Sequence, residues 1–129
     1  MDVFSTPGAF SWSELMTSDP DAAKAFYSKL FGWGTKDMQM SSGSYTTCQV
    51  GDSSVAGIMK IPPEAGGQPP TWGVYVTVAD VEETIRQAES LGGAVVMPPM
   101  DVDGVGRMAV LRDPQGATFS VIRYSFPST

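Results

Sequence analysis

Glu14 is the acidic residue whose position most suggests chemistry, because it lies within the strand-like run FSWSELMT at residues 10–17. Alternation along a strand places Trp12, Glu14 and Met16 on one face of the predicted sheet. Burial against apolar neighbours disfavours the charged form of a carboxylate, which suits a general acid or base. The sequence therefore marks Glu14 as a candidate catalytic residue.

Two structural interpretations of Glu14 stand beside the catalytic one. Arg107 or the hydroxyl of Tyr75 could hold the carboxylate as a purely structural contact, or water could solvate it at an open mouth. The other nucleophile candidates are weaker, because the chain contains no histidine that could activate Cys48 or Ser120. A buried, inert thiol is the expectation for Cys48.

Composition excludes several function classes. A net charge of -6 argues against binding nucleic acid or an anionic membrane surface, since both need basic patches. A single cysteine excludes an intrachain disulfide. The first ten residues lack the pattern of a secretory signal, and no apolar run reaches the length of a membrane span. A cytoplasmic protein is the expectation.

The elements that would position these residues form a repeated pattern. Asp19-Pro20 predicts a helix start with Ser18 or Asp19 as its cap, and Gly32 predicts its end. The apolar stripe of this helix is predicted to be Ala23, Phe26, Tyr27 and Leu30. A shift of 61 residues aligns its cap, its stop and the apolar phase of its first strand with a second copy. We therefore predict an α+β fold made of two βαβββ modules that form a cleft or partial barrel. The chain would be one domain, 1–129, with module one at about 8–61, a linker at 62–70 and module two at about 71–125.

The sequence resembles the vicinal oxygen chelate superfamily. The resemblance rests on ELMTSDPDAAKAFYSKLFGW (14–33), VYVTVADVEETIRQAESLGG (74–93) and LRDPQGATFSVIRY (111–124), and it extends over about residues 8–125. This superfamily contains glyoxalase I, extradiol dioxygenases, fosfomycin-resistance enzymes and bleomycin-resistance proteins. The resemblance implies paired βαβββ modules around a small-molecule cleft, and it makes a homodimer the expectation.

The superfamily's metal positions carry no metal ligands here. By position, the resemblance places them at Trp12, Gly57, Gly73 and Ser120, with Trp72 replacing Gly73 if the register slips by one residue. None of the four supplies the imidazole or carboxylate that a divalent ion needs. We expect no metal and no cofactor, and the missing ligands argue against glyoxalase I, extradiol cleavage and fosfomycin-type chemistry.

The same positions outline a binding pocket between the modules. Its predicted ligand-binding residues are Trp12, Glu14, Met16, Gly57, Met59, Gly73, Tyr75, Thr77 and Ser120. Aromatic and methionine side chains with a few polar groups favour a partly apolar or aromatic small molecule. These side chains could equally fill the space as ordinary core.

Three functions follow, and we favour the first. In the first, the chain is a metal-independent protein of the glyoxalase/bleomycin-resistance type that binds a small molecule. Alternatively, it is a metal-independent isomerase, lyase or cyclase with Glu14 as acid or base. A structural or regulatory subunit with a filled cleft is the third.

Overall fold

The computed structural model describes residues 1–40, 43–62 and 68–125. The chain divides into two compact units, a first unit of Trp12–Gly73 and a second unit of Met1–Ser11 with Val74–Thr129. Two repeats of a strand, a helix and three strands follow one another, which confirms the predicted pair of βαβββ modules. The elements are β1 (Phe10–Thr17), α1 (Pro20–Phe31), β2 (Gly34–Met40), β3 (Gly43–Val50), β4 (Ser53–Lys60), β5 (Thr71–Thr77), α2 (Val81–Ser90), β6 (Ala94–Val102), β7 (Gly106–Arg112) and β8 (Thr118–Tyr124).

The two units have the same strand order, written in opposite directions because β5 to β8 correspond to β1 to β4. In the first unit the order is β2-β3-β4-β1, with β4 parallel to β1 and Glu14 opposite Gly57. In the second it is β5-β8-β7-β6, with β8 parallel to β5 and Tyr75 opposite Ser120. Glu14 and Tyr75 are related by the predicted shift of 61 residues. The registers therefore agree with a duplicated module.

Helix α1 begins and ends where the sequence predicts. Asp19 is its N-cap and accepts a hydrogen bond from the backbone N–H of Ala22 at 3.1 Å, with Pro20 in the first turn. Gly32 closes the helix in the left-handed region at φ 74°, where only glycine avoids a steric cost. The helix therefore occupies the predicted span.

The core of the first unit lies between α1 and one face of its sheet. Its buried residues are Leu15, Cys48, Ala56 and Ile58, with Ala23, Tyr27 and Trp33 packed against them. The predicted helix stripe is half wrong, because Phe26 is 59% exposed and Leu30 is 58% exposed. Twelve residues of helix make only a narrow contact with the sheet, so Ala23 and Tyr27 supply it.

Helix α2 covers the sheet of the second unit in the same way. Val81 is buried against Ala109, Leu111 and Val121. Asp80 caps the helix by accepting a hydrogen bond from the N–H of Glu83 at 3.0 Å. None of the helices in the described ranges is both long and apolar enough to cross a membrane.

Asp80→Ala is expected to lower the free energy of unfolding by about 1 kcal/mol, because the first turn of α2 loses its side-chain acceptor. Chemical denaturation measures this change. Asp103→Ala, in an exposed turn, is the control and is expected to leave the free energy unchanged. An equal loss in both variants would contradict the capping role.

Strand β6 corrects the sequence prediction. The apolar run AVVMP at 94–98 predicts a strand that ends at Pro98, but β6 runs through Pro98 and Pro99 to Val102. It ends the strand order of its unit, and its register shifts between Val95 and Met97 and again between Met97 and Met100. An edge strand with such irregularities accommodates proline, because its outer N–H groups need no ladder partner. The predicted linker at 62–70 lies largely outside the described residues.

Candidate functional site

The sheet face opposite α1 carries a hydrogen-bonded cluster in the first unit. The hydroxyl of Tyr45, on β3, donates to Oε2 of Glu14 at 2.7 Å. The same hydroxyl accepts from the indole Nε1 of Trp12 at 2.9 Å. Tyr45 therefore connects Trp12 and Glu14, which the sequence predicts to lie on one face of β1.

Gly57 makes this arrangement sterically possible. A Cβ atom built on Gly57 would lie 1.8 Å from the Tyr45 hydroxyl and 2.3 Å from the ring carbon that bears it. Even the smallest side chain would therefore overlap the ring, and the missing side chain lets the tyrosine cross β4 toward β1. A strand glycine that admits a close neighbour is a recognised use of this residue.

Glu14 is buried, with 8% of the residue exposed. A distance of 2.7 Å to a phenol hydroxyl is ordinary for an O–H···O hydrogen bond. The prediction that Glu14 lies on an enclosed, largely apolar face is consistent with this burial. The hydrogen bond from Tyr45 gives Glu14 a structural partner. This bond is compatible both with ligand binding and with proton transfer by Glu14.

Arg107 contacts acidic residues of its own unit. Its Nε and Nη2 donate to the carboxylate of Glu82, at 2.9 Å and 2.6 Å to Oε2, and its Nη1 donates to Asp101 at 3.0 Å. Asp101 is exposed and belongs to β6. These contacts do not support the interpretation in which Arg107 holds the carboxylate of Glu14.

Glu82→Gln is expected to make the free energy of unfolding fall less steeply as the pH is lowered. The hydrogen bonds from Arg107 lower the pKa of Glu82 from its ordinary value of 4.5. A carboxyl group whose pKa is lowered by folding stabilises the folded state at pH values above its ordinary pKa of 4.5. This contribution is lost as the pH falls through the lowered pKa of the folded state. Unfolding free energies measured on either side of pH 4.5 test the effect. With Glu89→Gln as control, an equally steep fall in Glu82→Gln and wild type would contradict it.

Three further predicted site residues lie in the second unit. Tyr75 is 8% exposed, lies opposite Ser120 and donates its hydroxyl to the sulfur of Met108 at 3.8 Å. Thr77 is 3% exposed, and its hydroxyl donates to the backbone carbonyl of Val3 at 2.7 Å. Thr77 therefore holds the N-terminal segment, a contact that strand periodicity could not predict.

The remaining predicted residues lie in the first unit. Met16 and Met59 are opposite each other in the parallel β1–β4 pair, and both are half-buried. Gly73 lies on β5, and a Cβ atom there would make only an ordinary contact of 3.9 Å with the Glu14 carbonyl. The alternative register with Trp72 at this position is wrong, because the Trp72 indole donates to the Tyr27 hydroxyl on α1 at 3.0 Å. Trp72 therefore belongs to the helix-covered side.

Sequence reasoning missed Tyr45, whereas the buried thiol expected at Cys48 is confirmed. Cys48 is fully buried in the core beneath α1, where burial raises the pKa of its thiol. It therefore lies on the other side of the sheet from Glu14. The sequence features that indicate the contact between Tyr45 and Glu14 are a tyrosine on β3 and a glycine on the neighbouring β4.

The four positions where the superfamily places metal ligands do not fit a metal. Trp12 presents an indole N–H, which donates to Tyr45 and has no lone pair to offer. Gly57 and Gly73 have no side chain, and Ser120 offers only a neutral hydroxyl. Within residues 1–40, 43–62 and 68–125, no three His, Cys, Asp or Glu side chains converge on a common point. No step of the proposed function passes through a metal.

Two curated relatives match most of the chain. It is 42% identical over 117 residues to "Putative glyoxylase CFP32" of Mycobacterium bovis, a match that covers 90% of the chain and 44% of the relative. It is 38% identical to "Anthracycline biosynthesis protein DnrV" of Streptomyces peucetius, with 91% of the chain and 47% of the relative covered. The chain thus spans about half the length of these relatives.

Solved structures share the fold at low sequence identity. Methylmalonyl-CoA epimerase from Mycobacterium tuberculosis has a TM-score of 0.65 at 15% identity, covering 97% of this chain and 92% of its own. The hypothetical protein BH1468 from Bacillus halodurans C-125 has a TM-score of 0.68 at 12% identity, covering 96% and 99%. At such identities the likeness shows the fold alone.

A family model matches residues 9–121, which contain the first βαβββ repeat, the second as far as Val121 in β8, and the Trp12–Tyr45–Glu14 cluster. With most of the chain matched, the likeness seen in the sequence is confirmed. The chain belongs to the Glyoxalase/Bleomycin resistance protein/Dioxygenase superfamily.

Proposed function

We propose that this protein binds a planar, partly aromatic small molecule, without a metal, on the sheet face opposite α1. The observation that carries the proposal is the Tyr45 hydroxyl, which fixes Trp12 at 2.9 Å and Glu14 at 2.7 Å beside the side-chain-free Gly57. A half-buried indole held in one orientation offers an aromatic ring for stacking. A neighbouring carboxylate provides a polar anchor.

The surroundings of this cluster fit such a ligand. Met16 and Met59 are half-buried on the same face and add flexible, polarisable surface that adapts to a flat molecule. The name of one relative, an anthracycline biosynthesis protein, connects the family branch with fused aromatic rings. We therefore propose fused-ring aromatics as the ligand class.

Isothermal titration of the purified chain with an anthracycline tests the proposal. We expect saturable binding with one site per chain, and weaker or no binding of an aliphatic molecule of similar mass. Equal binding of both compounds, or of neither, would overturn the proposed ligand class.

Proton transfer by Glu14 is the second candidate function. It is favoured by one observation, that a buried carboxylate accepts a hydrogen bond directly from a tyrosine hydroxyl. Such a pair could take a proton from a ligand carbon and return it, as an isomerase, lyase or cyclase requires. Glu14→Gln keeps the shape and removes the base, so it should abolish turnover of an identified substrate while binding persists. Unchanged turnover would exclude this role.

Two further expectations remain proposals. A homodimer is the assembly we propose, since superfamily members are often dimers. A cytoplasmic location stays a prediction from the sequence.

A further inference from the structure

Four aromatic side chains form a corner on the helix-covered side of the first unit, across the sheet from the buried carboxylate of Glu14. We call this group the aromatic corner, and its members are Tyr27, Phe31, Trp33 and Trp72. In the five contacting pairs among them the ring centroids lie 5.2 to 6.2 Å apart. The four rings therefore form one continuous aromatic surface.

The aromatic corner has two walls that meet at a right angle. The ring of Trp72 stands at 80° to Tyr27 and at 81° to Trp33, whereas Tyr27 and Trp33 differ by only 24°. The Trp72 indole N–H donates to the Tyr27 hydroxyl at 3.0 Å, which holds this angle. Tyr27 and Trp33 also pack on the buried core of the unit. The rings are therefore oriented before any ligand arrives.

The aromatic corner lines a groove that has the size of a small-molecule pocket. Its volume is about 410 Å³, and Ser13, Val55 and Ala56 complete its lining. Ligand pockets commonly measure about 300–1,000 Å³. Trp72 is 38% exposed and Phe31 is 58% exposed, so a molecule in solvent can reach the rings. The groove therefore suits a small ligand rather than a large partner.

Charge favours a cation in this groove. None of the side chains that line it is charged, and the chain as a whole carries a net charge of -6. On α1, the ammonium of Lys24 is paired with Asp21 and Asp37, at 3.2 Å from a carboxylate oxygen of each. Lys29 is two residues from each helical member of the corner, and residues at that spacing do not face each other. Neither lysine of α1 therefore presents an unpaired charge to the groove.

The ring faces favour an organic cation without N–H groups. An aromatic face attracts a cation within about 6 Å of the ring centroid, most strongly for tryptophan. The centroids of Tyr27, Trp33 and Trp72 lie 5.4 to 6.2 Å from one another, so one position in the groove is within that range of all three. A primary ammonium has three strongly hydrated donors, and the lining offers no carboxylate to receive them. A trimethylammonium group has no donor to satisfy and presents methyl groups to the apolar lining.

We propose that the aromatic corner binds the trimethylammonium group of a small organic cation through the ring faces of Tyr27, Trp33 and Trp72. Several aromatic rings around one quaternary ammonium are a recurrent means of recognising this group. The site is separate from the proposed ligand site at Trp12, because the two lie on opposite sides of the sheet. Each site can therefore be altered without the other.

Titration of the 129-residue chain with choline, followed by nuclear magnetic resonance, tests the proposal. The chain has three tryptophans, and each indole N–H gives its own signal. We expect saturable shifts of the Trp33 and Trp72 signals. The signal of Trp12, on the other side of the sheet, should not move.

Two further compounds separate the charge of choline from its methyl groups. Ethanolamine carries the charge without the methyl groups. A neutral isostere, in which a tert-butyl group replaces the trimethylammonium group, carries the methyl groups without the charge. We expect both compounds to bind at least about tenfold more weakly than choline, because only choline offers a cation without N–H donors.

Trp72→Leu removes one wall of the corner and keeps an apolar side chain. We expect the dissociation constant of choline to rise at least about fivefold, and to rise less in Trp72→Phe, which keeps a ring. Phe26→Leu is the matched control and should bind choline like wild type. Phe26 is an exposed aromatic residue of α1 that contacts Tyr27 but does not line the groove. Thermal melting confirms that each variant is folded.

Phe31→Leu provides a second test at a more exposed position, where a change spares the core. It should also weaken choline binding, and it decides the question if Trp72→Leu does not fold. Equal affinity for choline and either of the other two compounds would overturn the proposal. Unmoved Trp33 and Trp72 signals, unchanged affinity in folded Trp72→Leu or Phe31→Leu, or an equal loss in Phe26→Leu would overturn it as well.

Discussion

Gly57→Ala is expected to lower the free energy of unfolding by about 1–3 kcal/mol and to abolish tight ligand binding. The new methyl group would lie 1.8 Å from the Tyr45 hydroxyl, 2.3 Å from Cζ and 2.7 Å from Cε1. The whole tyrosine ring must therefore move, not only its tip. Because that hydroxyl also bonds Glu14 and Trp12, all three side chains would lose their fixed positions. Chemical denaturation and ligand titration measure the two effects.

Gly73→Ala is the matched control for this variant. Gly73 is also a strand glycine of the first unit, but a Cβ atom there meets its nearest neighbour at 3.9 Å. An ordinary van der Waals contact of this kind should leave stability nearly unchanged. If Gly57→Ala were as stable as Gly73→Ala and bound ligand normally, Tyr45 would not depend on the missing side chain.

Tyr45→Phe should cost about 1–3 kcal/mol of stability, since it removes one oxygen and leaves the ring. Glu14 loses a donor and the indole of Trp12 loses its acceptor, on a face where water replaces them poorly. A double-mutant cycle with Glu14→Gln should show a coupling of about 0.5–3 kcal/mol, because the two groups share one hydrogen bond. Denaturant unfolding of the four proteins provides the cycle.

Tyr27→Phe provides the comparison for Tyr45→Phe. It removes the same kind of bond, a phenol oxygen accepting from a tryptophan indole at 3.0 Å, but that bond is exposed to water. Water can replace the lost partner there, so we expect a smaller loss of stability. Additive effects in the Glu14 cycle, or equal losses in both phenylalanine variants, would contradict a partly buried network at Tyr45.

The sequence predicted the parts of the fold that depend on local chemistry. Asp19, Pro20 and Gly32 bound α1 through capping and backbone preferences that any context would impose. Alternation placed Trp12 and Glu14 on one face, and the contact of both with Tyr45 confirms that they share it. These inferences needed no knowledge of neighbouring strands.

The parts that failed depend on neighbours distant in sequence. Tyr45 became visible only once β3 lay beside β4, where Gly57 opens the way to β1. Pro98 and Pro99 are tolerated because β6 is an edge strand, which the order of strands decides. Phe26 has the spacing of a core residue, yet it is 59% exposed on α1.

The ligand site is tested most directly by one calorimetric titration, an anthracycline added to wild type, Trp12→Leu and Trp72→Phe. If the ligand stacks on the face opposite α1, Trp12→Leu should bind about tenfold more weakly, which corresponds to about 1.4 kcal/mol. Trp72→Phe alters the other side of the sheet and should bind like wild type. Unchanged affinity in Trp12→Leu, or weakened binding in Trp72→Phe alone, would contradict the proposed site.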